Sequence, residues 1–128
     1  GLAGDSAGAL LDLGFLSVAK GDYVGARAHF KGAAEASGAS ADELVAAENN
    51  LAVCRLYTRE LREAIRGLEA LVRRDPVAYL QTSVVQNLSS LYEFMPDSAR
   101  RRATLREVME AFQLEDVDLK ALERPGTG

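Results

Sequence analysis

The stretch that decides the fold is NNLAVCRLYTRELREAIRGLEALVRRDP, residues 49–76. Its apolar residues recur three and four positions apart in two runs, which are separated by Thr58-Arg59-Glu60. Such spacing places apolar side chains on one face of an α-helix, and Pro76 marks the end of the second run because a helix interior does not accommodate proline. The stretch is therefore predicted to form a hairpin of two helices.

Length and composition are those of one globular domain. The chain has 128 residues, of which 48% are hydrophobic and 27% are charged, and its net charge is -4. A mildly acidic chain does not suit a phosphate backbone, so we expect no nucleic-acid partner. No apolar run reaches the roughly 18 residues that a membrane-spanning helix needs, so we expect no direct membrane insertion.

The same periodicity along the rest of the chain predicts six helices and no strands. Asp22 is the expected N-cap of the second helix, and Pro76 suits the first turn of the fifth. The helices are expected at about residues 6–19, 23–36, 42–58, 60–74, 77–94 and 97–112. A further short helix is expected within residues 115–123.

Six helices joined by short turns indicate internal repeats, and the tetratricopeptide pattern fits them. That pattern has a Leu-Gly pair in the first helix, then an alanine and a large apolar residue in the second, and a closing proline. In the first unit the matching residues are Leu13-Gly14, Ala26 and Phe30. In the second unit they are Leu51-Ala52, Ala64, Leu68 and Pro76. The separation of the leucine from the first alanine of the second helix is the same in both units.

A third unit is predicted from Asn87-Leu88-Ser89, with Tyr92 at the tyrosine place of the pattern. At the same separation from Leu88 stands Arg101, where a small residue is expected, although Leu105 and Val108 still supply an apolar stripe. The steps from position 13 to 51 and from position 51 to 88 are slightly longer than the repeat of about 34 in the pattern. A degenerate last unit is typical of the end of a repeat array.

These spacings predict an all-α fold, an α-solenoid of about three tetratricopeptide-like helical hairpins. Small residues let the two helices of a hairpin approach closely, and large apolar residues fill the space between neighbouring hairpins. The chain is interpreted as one domain, residues 1–128, with repeats at about 6–40, 42–76 and 77–112. Residues 113–124 are expected to cap the array, before a tail at 125–128. An ordinary helical bundle is the alternative fold.

No grouping of residues indicates catalysis, a metal site or a cofactor. Cys54 follows Leu51 by one helical turn and is expected to be a buried structural thiol, and His29 is expected at the surface without a functional role. Neither residue has a partner nearby in the sequence for nucleophilic catalysis or metal binding. The chain is therefore expected not to be an enzyme, with no catalytic residues and no small-molecule substrate.

A run of three arginines, Arg100-Arg101-Arg102, opens the sixth predicted helix. It is either a solvated face or a docking patch for an acidic partner. Glu107 and Glu110 lie nearby on the same helix and would partly neutralise it.

Solenoids of this type usually bind partners in the concave groove that is lined by the first helix of each repeat. The repeat pattern predicts a mostly apolar and aromatic groove, which suits an amphipathic helix or another subunit. Its exposed positions are predicted to be Leu11, Phe15, Val18, Asn49, Val53, Leu56, Tyr57, Gln86, Ser90, Glu93 and Phe94. Residues 113–124 are the alternative occupant of part of this face. Only Lys20 and Arg55 could supply a basic clamp, so binding of an acidic chaperone tail is disfavoured.

One part of the chain is more specific than the repeat pattern. The segments AVC-x-LY-x3-L and LEALV-x2-DP-x2-YL-x2-SV-x2-NL-x3-YE run from Asn49 to about Glu93. They resemble the C-terminal tetratricopeptide region of the subunit-twelve family of the trafficking protein particle (TRAPP) complex. Positions 1–40 match only as a generic repeat, and the resemblance fades beyond Glu93.

The resemblance implies a non-catalytic scaffold, an assembly or adaptor module of a vesicle-tethering complex in ER-to-Golgi traffic and autophagy. It implies other subunits of that complex as protein partners, and a cytoplasmic location that is peripheral at ER and Golgi membranes. It offers no catalytic residues. The alternative is a regulatory or peptide-binding domain of another complex or enzyme.

Overall fold

The computed structural model describes residues 6–112, and over that range it contains seven helices and no strand. The predicted all-α class, built from helical hairpins, is confirmed. The helices are α1 (Ala7–Ala19), α2 (Tyr23–Glu35), α3 (Ala41–Tyr57), α4 (Leu61–Arg74), α5 (Pro76–Tyr79), α6 (Thr82–Tyr92) and α7 (Ser98–Ala111). The predicted helix at 115–123, the capping segment and the tail lie outside the described residues.

Side-chain caps start the first three helices. The Ser6 hydroxyl accepts a hydrogen bond from the backbone N–H of Ala9 (3.1 Å), and the Asp22 carboxylate accepts one from Gly25 (2.8 Å). Ser40 and Glu43 form a reciprocal capping box at the start of α3. These caps satisfy amide groups that would otherwise lack a partner, so the starts of these helices are encoded locally.

The prediction of one long fifth helix is wrong. The chain forms the single-turn helix α5, then passes through Leu80-Gln81, and begins again as α6. Gln81 has an extended backbone (φ -101°, ψ 162°), and its side chain donates a hydrogen bond to the carbonyl of Ala78 (3.2 Å). The side chain of Leu80 is buried. We attribute the break to this burial, which offsets the helical hydrogen bonds that are lost between the two segments.

The chain divides into two compact units, an N-terminal unit (Gly1–Gly67) and a C-terminal unit (Leu68–Gly128), with the division inside α4. The prediction of one domain with three repeats stays a prediction. In the N-terminal unit α2 packs against both α1 and α3. One hydrophobic core cluster of this unit contains Leu11, Ala26, Phe30, Ala33, Ala47, Leu51 and Cys54.

Small residues stand where α1 and α2 come close together. A Cβ atom added at Gly14 would lie 2.5 Å from Cε1 of Phe30, so the phenyl ring rests directly on the α1 backbone. Ala26, Ala52 and Ala64 are all buried. The predicted burial of small residues at the repeat positions is therefore confirmed.

Two helix ends of the N-terminal unit share one hydrogen-bond geometry. At the end of α1 the N–H of Asp22 donates to the carbonyl of Ser17 (2.9 Å), and at the end of α3 the N–H of Glu60 donates to Arg55 (2.7 Å). The residue before each donor, Gly21 or Arg59, has a positive φ of 75° or 64°. Each pair of equivalent residues is separated by the step from position 13 to 51, hereafter the repeat step. These two helix ends, one repeat step apart, thus terminate in the same way.

In the C-terminal unit, α6 packs against α7. The buried side chains of these helices include Val84, Val85 and Leu88 from α6 and Leu105 and Met109 from α7. Leu105 takes the large apolar place predicted for it.

Candidate functional site

The predicted groove positions of the N-terminal unit are exposed only in part. The side chains of Phe15, Val53 and Tyr57 are exposed, and those of Val18 and Leu56 are half-buried. Phe15 and Val53 occupy equivalent places, one repeat step apart, on α1 and α3, two helices that contact each other. Apolar and aromatic side chains are therefore accessible on both of these helices.

Leu11 and Asn49 were predicted to be exposed in the groove, and this is wrong, because each is only 8% exposed. Leu11 continues a buried stripe with Ala7 and Gly14. Asn49 stands one repeat step further on and continues the corresponding stripe of α3. Residues three and four apart share one face of a helix, so both side chains point into the core.

Two of the exposed aromatic residues pack against other aromatic rings. The ring of Tyr57 stacks on that of Tyr23, with centroids 4.3 Å apart and an angle of 8° between the planes. Phe15 meets the buried ring of Phe30 edge to face, with centroids 5.3 Å apart. Sequence reasoning missed Tyr23 because it lies at the start of α2, outside the helices that were expected to line the groove. The pairing gives Phe15 and Tyr57 defined orientations at the surface.

In the C-terminal unit, three of the four predicted groove positions, Gln86, Ser90 and Phe94, are exposed. Glu93 is half-buried and forms an ion pair with Arg102. This pair, together with hydrogen bonds from Arg102 to the hydroxyl (3.1 Å) and carbonyl (3.0 Å) of Ser89, ties α7 to α6. Glu93 therefore stabilises the packing of its own unit.

The three consecutive arginines differ in their surroundings. The side chain of Arg100 is 80% exposed, whereas that of Arg102 is 12% exposed and engaged with α6. Arg101 donates a hydrogen bond to Asp97 (2.9 Å) and lies 3.6 Å from the Glu69 carboxylate. Arg100 also pairs with Asp97 (2.9 Å), but its side chain stays largely in solvent. The expected solvated face thus holds for Arg100 alone, because the ion-paired side chains of Arg101 and Arg102 are mostly buried.

A cleft of about 440 Å³ in the C-terminal unit lies among α4, α6 and α7. Its apolar wall includes Leu88 and Leu105, and its polar wall includes Glu69, Tyr92 and Arg101. The Tyr92 hydroxyl donates to the Glu69 carboxylate (3.1 Å). Burial, reinforced by Glu69, raises the pKa of the Tyr92 phenol, so this group stays protonated. Tyr92 and Arg101 thus both contact the Glu69 carboxylate.

Cys54 is fully buried, as predicted, and burial raises the pKa of its thiol. A protonated, inaccessible thiol is a poor nucleophile. Across residues 6–112, no group of three or more His, Cys, Asp or Glu side chains could hold a metal ion. No helix in that range is long and apolar enough to cross a membrane.

Comparisons with known proteins find the resemblance that the sequence predicts. The chain is 40% identical over 72 residues to trafficking protein particle complex subunit 12 of Mus musculus, and 43% identical over 65 residues to that of Homo sapiens. The matches cover 56% and 51% of this chain but only 9% of each relative. No protein-family model matches, and no solved structure matches. The predicted resemblance to this subunit is thus confirmed: about half of the chain is similar to a short region of it.

Proposed function

We propose that the chain is a non-catalytic protein–protein interaction scaffold, an assembly or adaptor module of a TRAPP vesicle-tethering complex in ER-to-Golgi traffic and autophagy. The observation that carries the proposal is the identity of 40% and 43% to subunit 12 of the trafficking protein particle complex over about half the chain. Its partners would be other subunits of such a complex. Its location would be cytoplasmic, at ER and Golgi membranes through that complex.

The proposed partner-binding surface of the N-terminal unit is centred on Phe15, Val53 and Tyr57. Exposed aromatic residues are enriched where proteins bind one another, because they bury a large area and lose little side-chain entropy. Val18 and Leu56 lie at its half-buried margin. In the C-terminal unit, Gln86, Ser90 and Phe94 are the proposed contact residues, and Leu11 and Asn49 are excluded by their burial.

The test is affinity capture from a lysate of the source organism, with the chain as bait and mass spectrometry of the bound proteins. We expect several TRAPP subunits to be captured. Tyr57→Glu should abolish their capture, because a charge at the centre of an apolar contact is left without a partner. Val24→Glu is the matched control, because Val24 is 60% exposed, as against 61% for Tyr57, and lies on α2 outside the groove.

Circular dichroism should show the same helicity for both variants, because both side chains are exposed. Capture of chaperones without TRAPP subunits would contradict the proposed complex. Equal capture by the wild-type chain and Tyr57→Glu would contradict the proposed surface.

A further inference from the structure

Equivalent faces of α1 and α3 differ in their exposure. On α3, Leu51 and Cys54 are 2% and 0% exposed, because α2 packs on that face. The residues one repeat step earlier on α1 are Leu13 and Leu16, and they are 43% and 52% exposed. Ala9, the counterpart of buried Ala47, is exposed too. The apolar face formed by Ala9, Leu13 and Leu16 is hereafter the α1 docking face. No helix within residues 6–112 covers it, whereas α2 covers its α3 counterpart.

Helix α2, which covers the α3 face, indicates what kind of helix would fit the α1 docking face. Helix α2 presents Ala26, Phe30 and Ala33, a stripe with one aromatic side chain between two small ones, and all three are fully buried. This stripe belongs to the same core cluster as Ala47, Leu51 and Cys54. Small residues allow close approach of the two helix backbones, and the aromatic ring fills the space that remains.

Charge complementarity supports the same kind of partner. On α2, Arg27 follows the first small residue, pairs with Glu60 and lies 3.4 Å from the Thr58 hydroxyl. The residue equivalent to Glu60, one repeat step earlier, is Asp22. Asp22 is exposed at the end of α1, and one of its oxygens accepts the capping hydrogen bond from Gly25. A carboxylate can accept several hydrogen bonds. Asp22 could therefore also pair with an arginine of a partner helix, as Glu60 pairs with Arg27.

We propose that the α1 docking face binds an amphipathic helix of a partner protein. The helix carries an aromatic residue between two small ones, with an arginine directly after the first small residue, as α2 does. Its binding reproduces on α1 the contact that α2 makes with α3. Phe15 and Val18 of the proposed groove point to other sides of α1, so this inference is independent of the function proposed above.

The probe is a fluorescent synthetic peptide with the sequence of residues 22–36, held helical by a hydrocarbon staple that replaces Val24 and Ala28. Both of these side chains are exposed on α2, so the staple leaves the apolar stripe intact. Fluorescence anisotropy should show saturable binding of the peptide to the chain. Leu16→Asp in the chain should weaken it about tenfold or more, because the new carboxylate would be buried without a partner. Phe30→Ala in the peptide should have a similar effect.

Val24→Asp in the chain is the matched control, because it puts the same charge at a similarly exposed apolar site on another helix. This variant should bind the peptide as the wild-type chain does. Undiminished binding to Leu16→Asp, or no saturable binding to the wild-type chain, would overturn the proposal. Sedimentation of the chain alone tests the other occupant: a dimer that Leu16→Asp dissociates would assign the face to a second copy and would overturn the proposal of a partner helix.

Discussion

Arg59 adopts a backbone conformation that favours glycine. Its φ is 64°, whereas the equivalent residue one repeat step earlier is Gly21. A left-handed conformation costs a residue with a side chain roughly 1–2 kcal/mol, and the greater freedom of glycine in the unfolded chain offsets about 0.5–1 kcal/mol of that. Arg59→Gly should therefore raise the free energy of unfolding by about 0.5–1 kcal/mol, as measured by urea denaturation.

The reciprocal variant is Gly21→Arg. A Cβ atom at Gly21 has no neighbouring atom within 4 Å, so the cost should come from the backbone alone and be of similar size. If Gly21→Arg left the unfolding free energy unchanged, the proposed equivalence of these two helix ends would be wrong.

Gly14 is a second glycine whose replacement should change the stability of the fold, here through the added Cβ atom. Because an added Cβ would lie 2.5 Å from the Phe30 ring, Gly14→Ala should destabilise the chain by about 1–3 kcal/mol through overpacking. Gly32→Ala is the control, because a Cβ atom there would be 3.4 Å from the Leu10 side chain, which is ordinary contact. It should be neutral or stabilising by up to about 1 kcal/mol, since alanine favours the helix more than glycine does. Thermal denaturation of both variants makes the comparison, and an equal effect of the two would contradict the close packing of Phe30 on α1.

At the scale of the element, α7 depends on the charged groups at its start. Hydrogen bonds from Arg101 and Arg100 hold the pKa of the Asp97 carboxyl below its usual value. A group with a lowered pKa in the folded state stabilises the fold above its unfolded pKa of about 3.9, and that contribution is lost as the pH falls through the folded value. Asp97→Asn should therefore lower the melting temperature at neutral pH, and the difference from wild type should shrink on acidification below about pH 4.

The measurement is thermal denaturation by circular dichroism from neutral to strongly acidic pH. Asp75→Asn is a suitable control, because Asp75 caps the short helix α5 through Ala78 and has no ion pair among those found within residues 6–112. A constant difference between Asp97→Asn and wild type across the acid range would show that the ion pairs of Asp97 do not contribute to stability.

At the scale of the whole molecule, the repeat step should allow the array to be extended. The variant carries a second copy of residues 6–43 directly before Ser6. Glu43 of the added copy is then followed by Ser6, which is one repeat step before Leu44, the residue that follows Glu43 in the native chain. The added α2 should then cover Leu13 and Leu16 of the original α1. Stacked repeats stabilise one another through their interfaces, so the melting temperature should rise. Leu16→Asp in the original copy should remove most of that rise, and no rise at all would contradict the repeat.

Local patterns account for what the sequence predicted correctly. The predicted N-cap at Asp22 depends on residues within one turn of it, and the small residues at Gly14 and Ala26 follow from the repeat pattern. The caps at Ser6 and Ser40 are equally local, although they were not predicted from the sequence. The predicted fifth helix is wrong because the break at Leu80-Gln81 depends on the burial of Leu80, which helical periodicity does not report. Arg101 departs from the repeat pattern, and this is visible in the sequence. Its ion pair with Glu69 could not be predicted, because Glu69 lies on α4, far from Arg101 in the chain.

Helical periodicity did not predict which face of each helix is buried. Leu13 and Leu51 hold the same place in the predicted repeat, yet one is exposed and the other is in the core. Among residues 6–112, a helix, α2, packs on that side of α3 and none packs on that side of α1. Leu11 and Asn49 are buried for the related reason that their stripe faces neighbouring helices. Hydrogen bonds and helical periodicity act over a few residues and can be read along the chain, so the sequence was enough to predict the helical class and the cap at Asp22. The choice of which apolar face becomes core and which remains a surface for partners depends on helix neighbours far apart in sequence, and it followed from the packed structure alone.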